Sequence, residues 1–195
     1  AQIWIDTSGQ KLADRGYRKT PYLAPLRETL AAAILMRAGY TGEGPLVIPM
    51  CGSGTLAIEG ALIAAGRPPG LLRSGFGFQH LVAFNKDVWN DIRREVTPAK
   101  PRRGGKTCPP IIATDINPDA VAATKRNAET AGVGHLIETQ VSDFADTPMP
   151  DEHGHIILHP EYGLRLGKQD DLQSLYPRMG DFFKQRCGGW SSWIY

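Results

Sequence analysis

The chain has 195 residues, 42% of them hydrophobic and 22% charged, with a formal net charge of +2; this suits one soluble domain with a sizeable core, and the charge by itself does not point to a polyanionic partner. No apolar run approaches the ~18–20 residues a membrane span needs, and AQIWIDTSGQ lacks a signal-peptide pattern. Three cysteines (Cys51, Cys108, Cys187) without CxxC or Cys/His spacing argue against a disulfide framework or a structural zinc, so a reducing cytoplasm is the expected compartment.

Gln2 to Thr7 (QIWIDT) alternates polar and apolar residues and predicts a strand, closed by Ser8 and Gly9. After the polar connector DRGYRKT, Pro25 opens a predicted helix that places Leu26, Leu30, Ala33, Ile34 and Arg37 on helical spacing and ends at Gly39. Leu46 to Met50 (LVIPM) reads as a short buried strand with Pro49 at its end. A helix is expected over Thr55–Ala65, then a Gly- and Pro-rich loop to about Gln79, then a helix over Asp87–Glu95. The stretch KPRRGGK (Lys100 to Lys106) carries four cations and no acid; a solvated surface loop and a phosphate-contacting loop both fit it. Ile111 to Asp115 predicts a second buried strand, and Asn117-Pro118 caps a helix to about Thr130. Further strands are expected at Leu136–Val141, His155–Leu158 and Gly189–Tyr195, with a helix over Asp171–Lys184. Strands alternating with helices at this spacing predict an α/β fold, a mostly parallel sheet with helices on both faces. Stopping on a strand suggests that the last strands of such a sheet are truncated.

In a sheet of this kind ligands bind at the carboxyl ends of the strands. Three features fall there. Cys51-Gly52-Ser53-Gly54-Thr55 follows the first buried strand, where glycines permit close approach and the next helix offers unpaired N–H groups. The positions after Gly54 read TLAIEG, which is neither the Rossmann G-x-G-x-x-G nor the Walker G-x-x-x-x-G-K-[ST]. Asp115 ends the second strand and can accept from both hydroxyls of a ribose, although a capping role is open to it. Asp143 can accept from an adenine amino group with Phe144 over the ring, although a loop acid is equally compatible. A glycine turn, a ribose acid and a base acid on successive strands describe a nucleoside site without a pyrophosphate loop, which fits S-adenosylmethionine. His80, His135, His153 and His155 have no ligand spacing, so no metal is expected. Trp190 and Trp193 read as core. Glu59, one turn into the helix after the glycines, is either an orienting group for that loop or a helix-face acid.

At the end of the fourth buried strand stands His159-Pro160-Glu161-Tyr162. With DTSGQKLADRGYR, APLRETLAAAIL, PMCGSGTLAIEGALIA, FGFQ, TDINPDAVAATKRNAETAGV, EYGLRLG and LQSLYPRMGDFFK in order over essentially the whole chain, the sequence resembles the bacterial 23S rRNA guanine-N2 methyltransferases and their THUMP-associated relatives, in which an Asn/Asp-Pro-Pro-Tyr motif is catalytic. The resemblance implies a Rossmann-like class I S-adenosylmethionine-dependent methyltransferase domain over residues 21–195. Residues 1–20 would be linker and strand from a preceding domain, and a THUMP-type RNA-binding domain would stand in the full-length protein. It implies methyl transfer to a guanine N2 in ribosomal RNA, with His159, Pro160 and Tyr162 catalytic. Cys51, Gly52, Ser53, Gly54, Thr55, Asp115, Ile116, Asp143, Phe144, Arg18 and Glu28 would surround the cofactor. Two positions depart from the family pattern: the motif reads HPEY, and Ile48 stands where an acid usually precedes Pro49-Met50-Cys51. An adenine-N6 methyltransferase, or a module that binds cofactor and RNA without transfer, are the alternatives.

Overall fold

The computed structural model describes residues 2–20, 22, 25–97, 108–160 and 169–195. Five strands, β1 (Leu46–Pro49), β2 (Ile111–Asp115), β3 (Ile137–Val141), β4 (His155–Leu158) and β5 (Ser191–Ile194), form one sheet in the order β3-β2-β1-β4-β5. Every neighbouring pair is parallel. The chain starts at the centre, winds out through β2 and β3, then returns across β1 to lay down β4 and β5. That reversal makes the carboxyl edge between β1 and β4 the switch point of a doubly wound, Rossmann-like sheet.

Helices α1 (Glu28–Arg37), α2 (Thr55–Ala64), α3 (Lys86–Val96), α4 (Pro118–Thr130) and α5 (Gln169–Arg186) connect and cover it. The central strands read as near-continuous apolar runs because both faces are buried. Leu46, Ile48, Ile111, Ala113 and Ile157 pack into one core with α1, α2 and the last turn of α4. Val47, Ile112, Ile156 and Leu158, pointing the other way by the strand's period of two, pack on Leu175, Met179 and Phe182 of α5. Helix α2 is buried almost along its whole length, and at Gly60 a Cβ would overlap the Leu46 side chain. This fit seats the N-terminus of α2 at the end of β1. Among the described residues no helix is long and apolar enough to cross a membrane.

Four expectations need correction. Residues 2–7 form no strand; Ile3, Trp4 and Ile5 are exposed, so the alternation there has no sheet to join. Helix α1 begins at Glu28, and its buried face is Glu28, Ala31 and Leu35 rather than the stripe through Leu30. The segment before Gln79 carries two 3₁₀ turns, Pro69–Leu72 and Gly77–His80. Leu136 belongs to a 3₁₀ turn, so β3 starts one residue later. Pro49 is the last residue of β1, where its missing N–H costs no ladder bond. The basic stretch 100–106 lies outside the described residues.

Candidate functional site

The turn after β1 is built from backbone that other residues adopt with difficulty. Met50, Gly52 and Gly54 all have positive φ, at 61°, 56° and 83°. Cys51 N–H donates to Thr114 O at 2.8 Å, carrying the β1–β2 ladder one step past the strand, and Gly54 N–H donates back to Cys51 O at 2.9 Å. Gly54 then caps α2. A Cβ at Gly54 would stand 2.6 Å from Thr124 Cγ2, whereas one at Gly52 would meet nothing within 4 Å. Gly54 is therefore set by packing against α4, and Gly52 faces open space, as a ligand-facing glycine should.

Asp115 closes the other side of this turn. Its Oδ2 accepts from Gly52 N–H at 2.9 Å and its Oδ1 from Asn117 N–H at 3.0 Å. An ionised carboxylate has about four acceptor sites, so capacity remains on both oxygens for a diol. Asp115 O also accepts from Ser142 N–H at 3.0 Å, which brings Asp143 to the same edge. Ile116 is exposed beside them. Gly52, Asp115 and Asp143 thus meet at one edge of one sheet.

Asp143 and Phe144 carry additional partners. Arg178 of α5 donates to both Asp143 oxygens at 2.8 Å, and Ala145 N–H donates to Oδ1 at 2.9 Å. Burial alone would raise the Asp143 pKa; the bonds from Arg178 and Ala145 outweigh it and hold the carboxyl below its usual range. Phe144 is buried against Phe182, with the Arg178 guanidinium 4.9 Å from its ring centroid. Its ring belongs to the α5-side core.

On the opposite flank, Arg18 donates to Leu26 O at 2.6 Å and to Thr55 Oγ1 at 3.1 Å, at the first residue of α2, and pairs with Glu28 at 3.3 Å. Behind it, Glu59 accepts from Tyr17 Oη at 3.0 Å and from Arg15 at 3.5 Å. Glu59 accordingly fastens the Arg15–Thr20 segment to α2 and makes no bond to the glycine turn. Burial raises the Glu59 pKa despite Arg15 and Tyr17, and burial together with Glu59 raises that of Tyr17. The Cys51 thiol, buried beside Thr124 Oγ1 at 3.4 Å, is pushed up to about 12 by burial. It stays neutral, so Cys51 serves this edge through its backbone.

His159 follows β4 at the same edge and stacks on Tyr195, centroids 5.7 Å apart at 20°. Burial lowers its pKa, so the ring is neutral at pH 7 and can accept a hydrogen bond through one nitrogen. Pro160 is buried. Glu161 and Tyr162 lie outside the described residues. Ile48 is fully buried in the α1/α2-side core. Trp190 and Trp193 are packed partly into the two cores.

Sequence reasoning passed over Thr124, Asn127 and Arg178. Thr124 Oγ1 donates to Gly52 O at 2.9 Å, and the buried Asn127 bonds Ser53 O at 3.1 Å. The available signal was two polar residues spaced i, i+3 on an otherwise alanine-lined helix face.

The RMKL-like methyltransferase domain family (UPF0020) matches residues 15–195. A ribosomal RNA large subunit methyltransferase K/L of Shewanella baltica is 46% identical over 190 residues, covering 96% of this chain and 27% of the relative. The chain thus spans about a quarter of the length of the curated relatives it matches. Among solved structures, SMU.472, described as "a putative methyltransferase complexed with SAH", superposes with a TM-score of 0.81 at 29% identity, covering 92% of this chain and 46% of the other. A Listeria monocytogenes protein described as a predicted N6-adenine-specific DNA methylase gives 0.82 at 35% identity, covering 97% and 48%.

Proposed function

The chain belongs to the RMKL-like methyltransferase domain family, and on that premise we propose that it binds S-adenosylmethionine and methylates the exocyclic N2 of a guanine in 23S rRNA. The observation that carries this reading is the Gly52–Asp115 clamp, with an open glycine backbone facing a carboxylate that keeps acceptor capacity. The residues present fit an adenosine-bearing cofactor. Asp115 would take the ribose hydroxyls, Ile116 would lie along the base, and Gly52 would let the backbone approach. Arg18, Glu28 and Thr55 would flank the amino-acid end, and Asp143 would face the adenine amino group with Arg178 sharing its oxygens. When bound, the cofactor supplies a methyl group on a positively charged sulfur.

The chain's own residues then have to present the acceptor. An exocyclic amine is a poor nucleophile because its lone pair is delocalised into the ring. Neutral His159 and its carbonyl, held ahead of buried Pro160, accept from that amine and favour a pyramidal nitrogen with its lone pair turned toward the methyl group. Positioning and directed acceptors of this kind supply most of the rate effect where charge disperses during transfer. Tyr162 would stack on a base that has been flipped out or was never paired. The name of the Shewanella relative supports RNA of the large subunit as the substrate. A THUMP-type RNA-binding domain in the full-length protein, and a cytoplasmic location, complete the proposal.

The second reading is a domain that binds cofactor and RNA without transfer; its supporting observation is the engagement of the His159 ring by Tyr195. Incubation with labelled cofactor and 23S rRNA from cells lacking the modification tests both. N2-methylguanine that disappears in His159→Ala supports transfer. N6-methyladenine would move the assignment to adenine. Binding of both cofactor and RNA without product in any form would establish the second reading.

A further inference from the structure

The α4 side chain Asn127 is fully buried, and every hydrogen-bonding position of its amide is filled. Its Oδ1 accepts from Lys19 N–H at 3.1 Å and Thr20 N–H at 3.0 Å. Its Nδ2 donates to Thr20 O at 2.9 Å and to Ser53 O at 3.1 Å. One amide therefore joins three parts of the chain that are far apart in sequence: the Arg15–Thr20 segment, the turn after β1 and helix α4. Only an amide can do this, because two neighbours are donors and two are acceptors. A carboxylate of the same shape would face the Thr20 and Ser53 carbonyls with no proton to share.

The bond to Ser53 O lies in the middle of the turn whose Gly52 N–H is held by Asp115. One helical turn away, Thr124 donates to Gly52 O. The two carbonyls of Gly52 and Ser53 are thus both held by side chains of α4, which fixes the orientation of the turn's peptide planes. The segment held by the same amide also carries Arg18, which bonds Thr55 at the first turn of α2. Both walls of the candidate cofactor site are in this way referred to one buried side chain that touches no ligand.

We propose that Asn127 is a positioning residue that couples the Arg15–Thr20 segment to the Cys51–Thr55 turn, so that cofactor affinity depends on this segment being docked. The inference rests on the cofactor reading above for its affinity arm and on the geometry alone for its coupling arm. Without the amide, the segment and the turn loosen together.

The test uses the 195-residue chain as wild type, Asn127→Ala, Asn127→Asp and Thr20→Pro, with Thr130→Ala, whose hydroxyl only bonds its own helix at Arg126 O, as the control. Calorimetric affinity for S-adenosylhomocysteine and amide exchange of the ligand-free protein are measured. Expected are an affinity loss of about tenfold or more in both Asn127 variants, as for a buried network left unsatisfied, and a loss of several-fold in Thr20→Pro, which leaves α4 intact. Exchange should accelerate at residues 15–20 and 51–55 in parallel, with α4 still protected and Thr130→Ala unchanged. In Asn127→Asp, affinity should return in part as pH falls and the carboxyl regains one proton to donate, leaving one of the two carbonyls unpaired. Wild-type affinity in the folded variants, or exchange rising at 15–20 with the turn unaffected, overturns the proposal. Should the Asn127 variants fail to fold, Thr20→Pro decides by the same two measurements. Wild type that binds no S-adenosylhomocysteine sinks the cofactor reading, while the exchange data still decide the coupling.

Discussion

At Asp115 the two carboxylate oxygens already accept from Gly52 and Asn117 N–H groups, so the side chain shapes the turn before any ligand arrives. Asp115→Asn keeps the shape but places an NH₂ against one of those donors. We expect it to weaken S-adenosylhomocysteine binding by about tenfold or more, since a charge-assisted bond is worth roughly 1.5–3 kcal/mol, as read by calorimetry. At Gly54 the constraint is packing: Gly54→Ala adds a strained φ and a clash with Thr124. It should cost about 1–3 kcal/mol of stability, measured by urea unfolding. His159 poses a chemical question. Its neutral ring is an acceptor at pH 7, and because burial lowers its pKa, that capacity is lost as pH falls below the usual histidine value. Any transferase activity should fall with it. Replacing HPEY by the family form, His159→Asn with Glu161→Pro, should raise turnover and remove that acidic limb from the pH–rate profile.

Elements explain which parts of the chain could be read in advance. The strands were legible because central parallel strands are buried on both faces and announce themselves as short apolar runs, such as LVIP and IIAT. The QIWIDT segment has the right alternation but pairs with no strand among the described residues, and local pattern contains no information about partners. Helix α1 was misphased for a different reason. Glu28 is held inward by Arg18, and the buried face continues through Ala31 and Leu35 into the core that α1 shares with α2. Asp115 and the glycine turn could be found from their places at strand ends. For Asn127 the alanine-lined face marks only that the side chain points inward; what it bonds could not be read, because those groups are backbone near residues 20 and 53. The Arg15–Tyr17–Glu59 cluster that ties the N-terminal segment to α2 makes its own prediction. Glu59 has its pKa raised in the folded protein, so the folded state binds the extra proton, and stability falls as pH rises from the ordinary value near 4.5 through the raised one. Glu59→Gln should flatten that slope, as judged by melting temperatures from pH 4 to 8.

For the molecule as a whole, a ligand that binds only the folded chain stabilises it by mass action, about 2.7 kcal/mol at a hundredfold excess over Kd. In a domain of this size that corresponds to roughly 5–10 °C in melting temperature. S-adenosylhomocysteine should produce such a shift in the wild type and about half of it or less in Asp115→Asn, as a tenfold weaker Kd dictates at the same ligand concentration; no shift in the wild type would remove the basis for the cofactor assignment.

The order of the sheet also has a bearing on how the chain acquires its shape. Leu46 in the central strand pairs with Ile111 on one side and His155 on the other, both distant in sequence, so β1 has no neighbour until β2 has been made and only one until β4 follows. Non-local parallel pairing of this kind is slow to form. During that interval the LVIP segment, fully buried at the end, is a sticky apolar stretch exposed to other nascent chains. Refolding from denaturant should therefore lose yield steeply with protein concentration, and a chaperone that shields short hydrophobic segments should restore it.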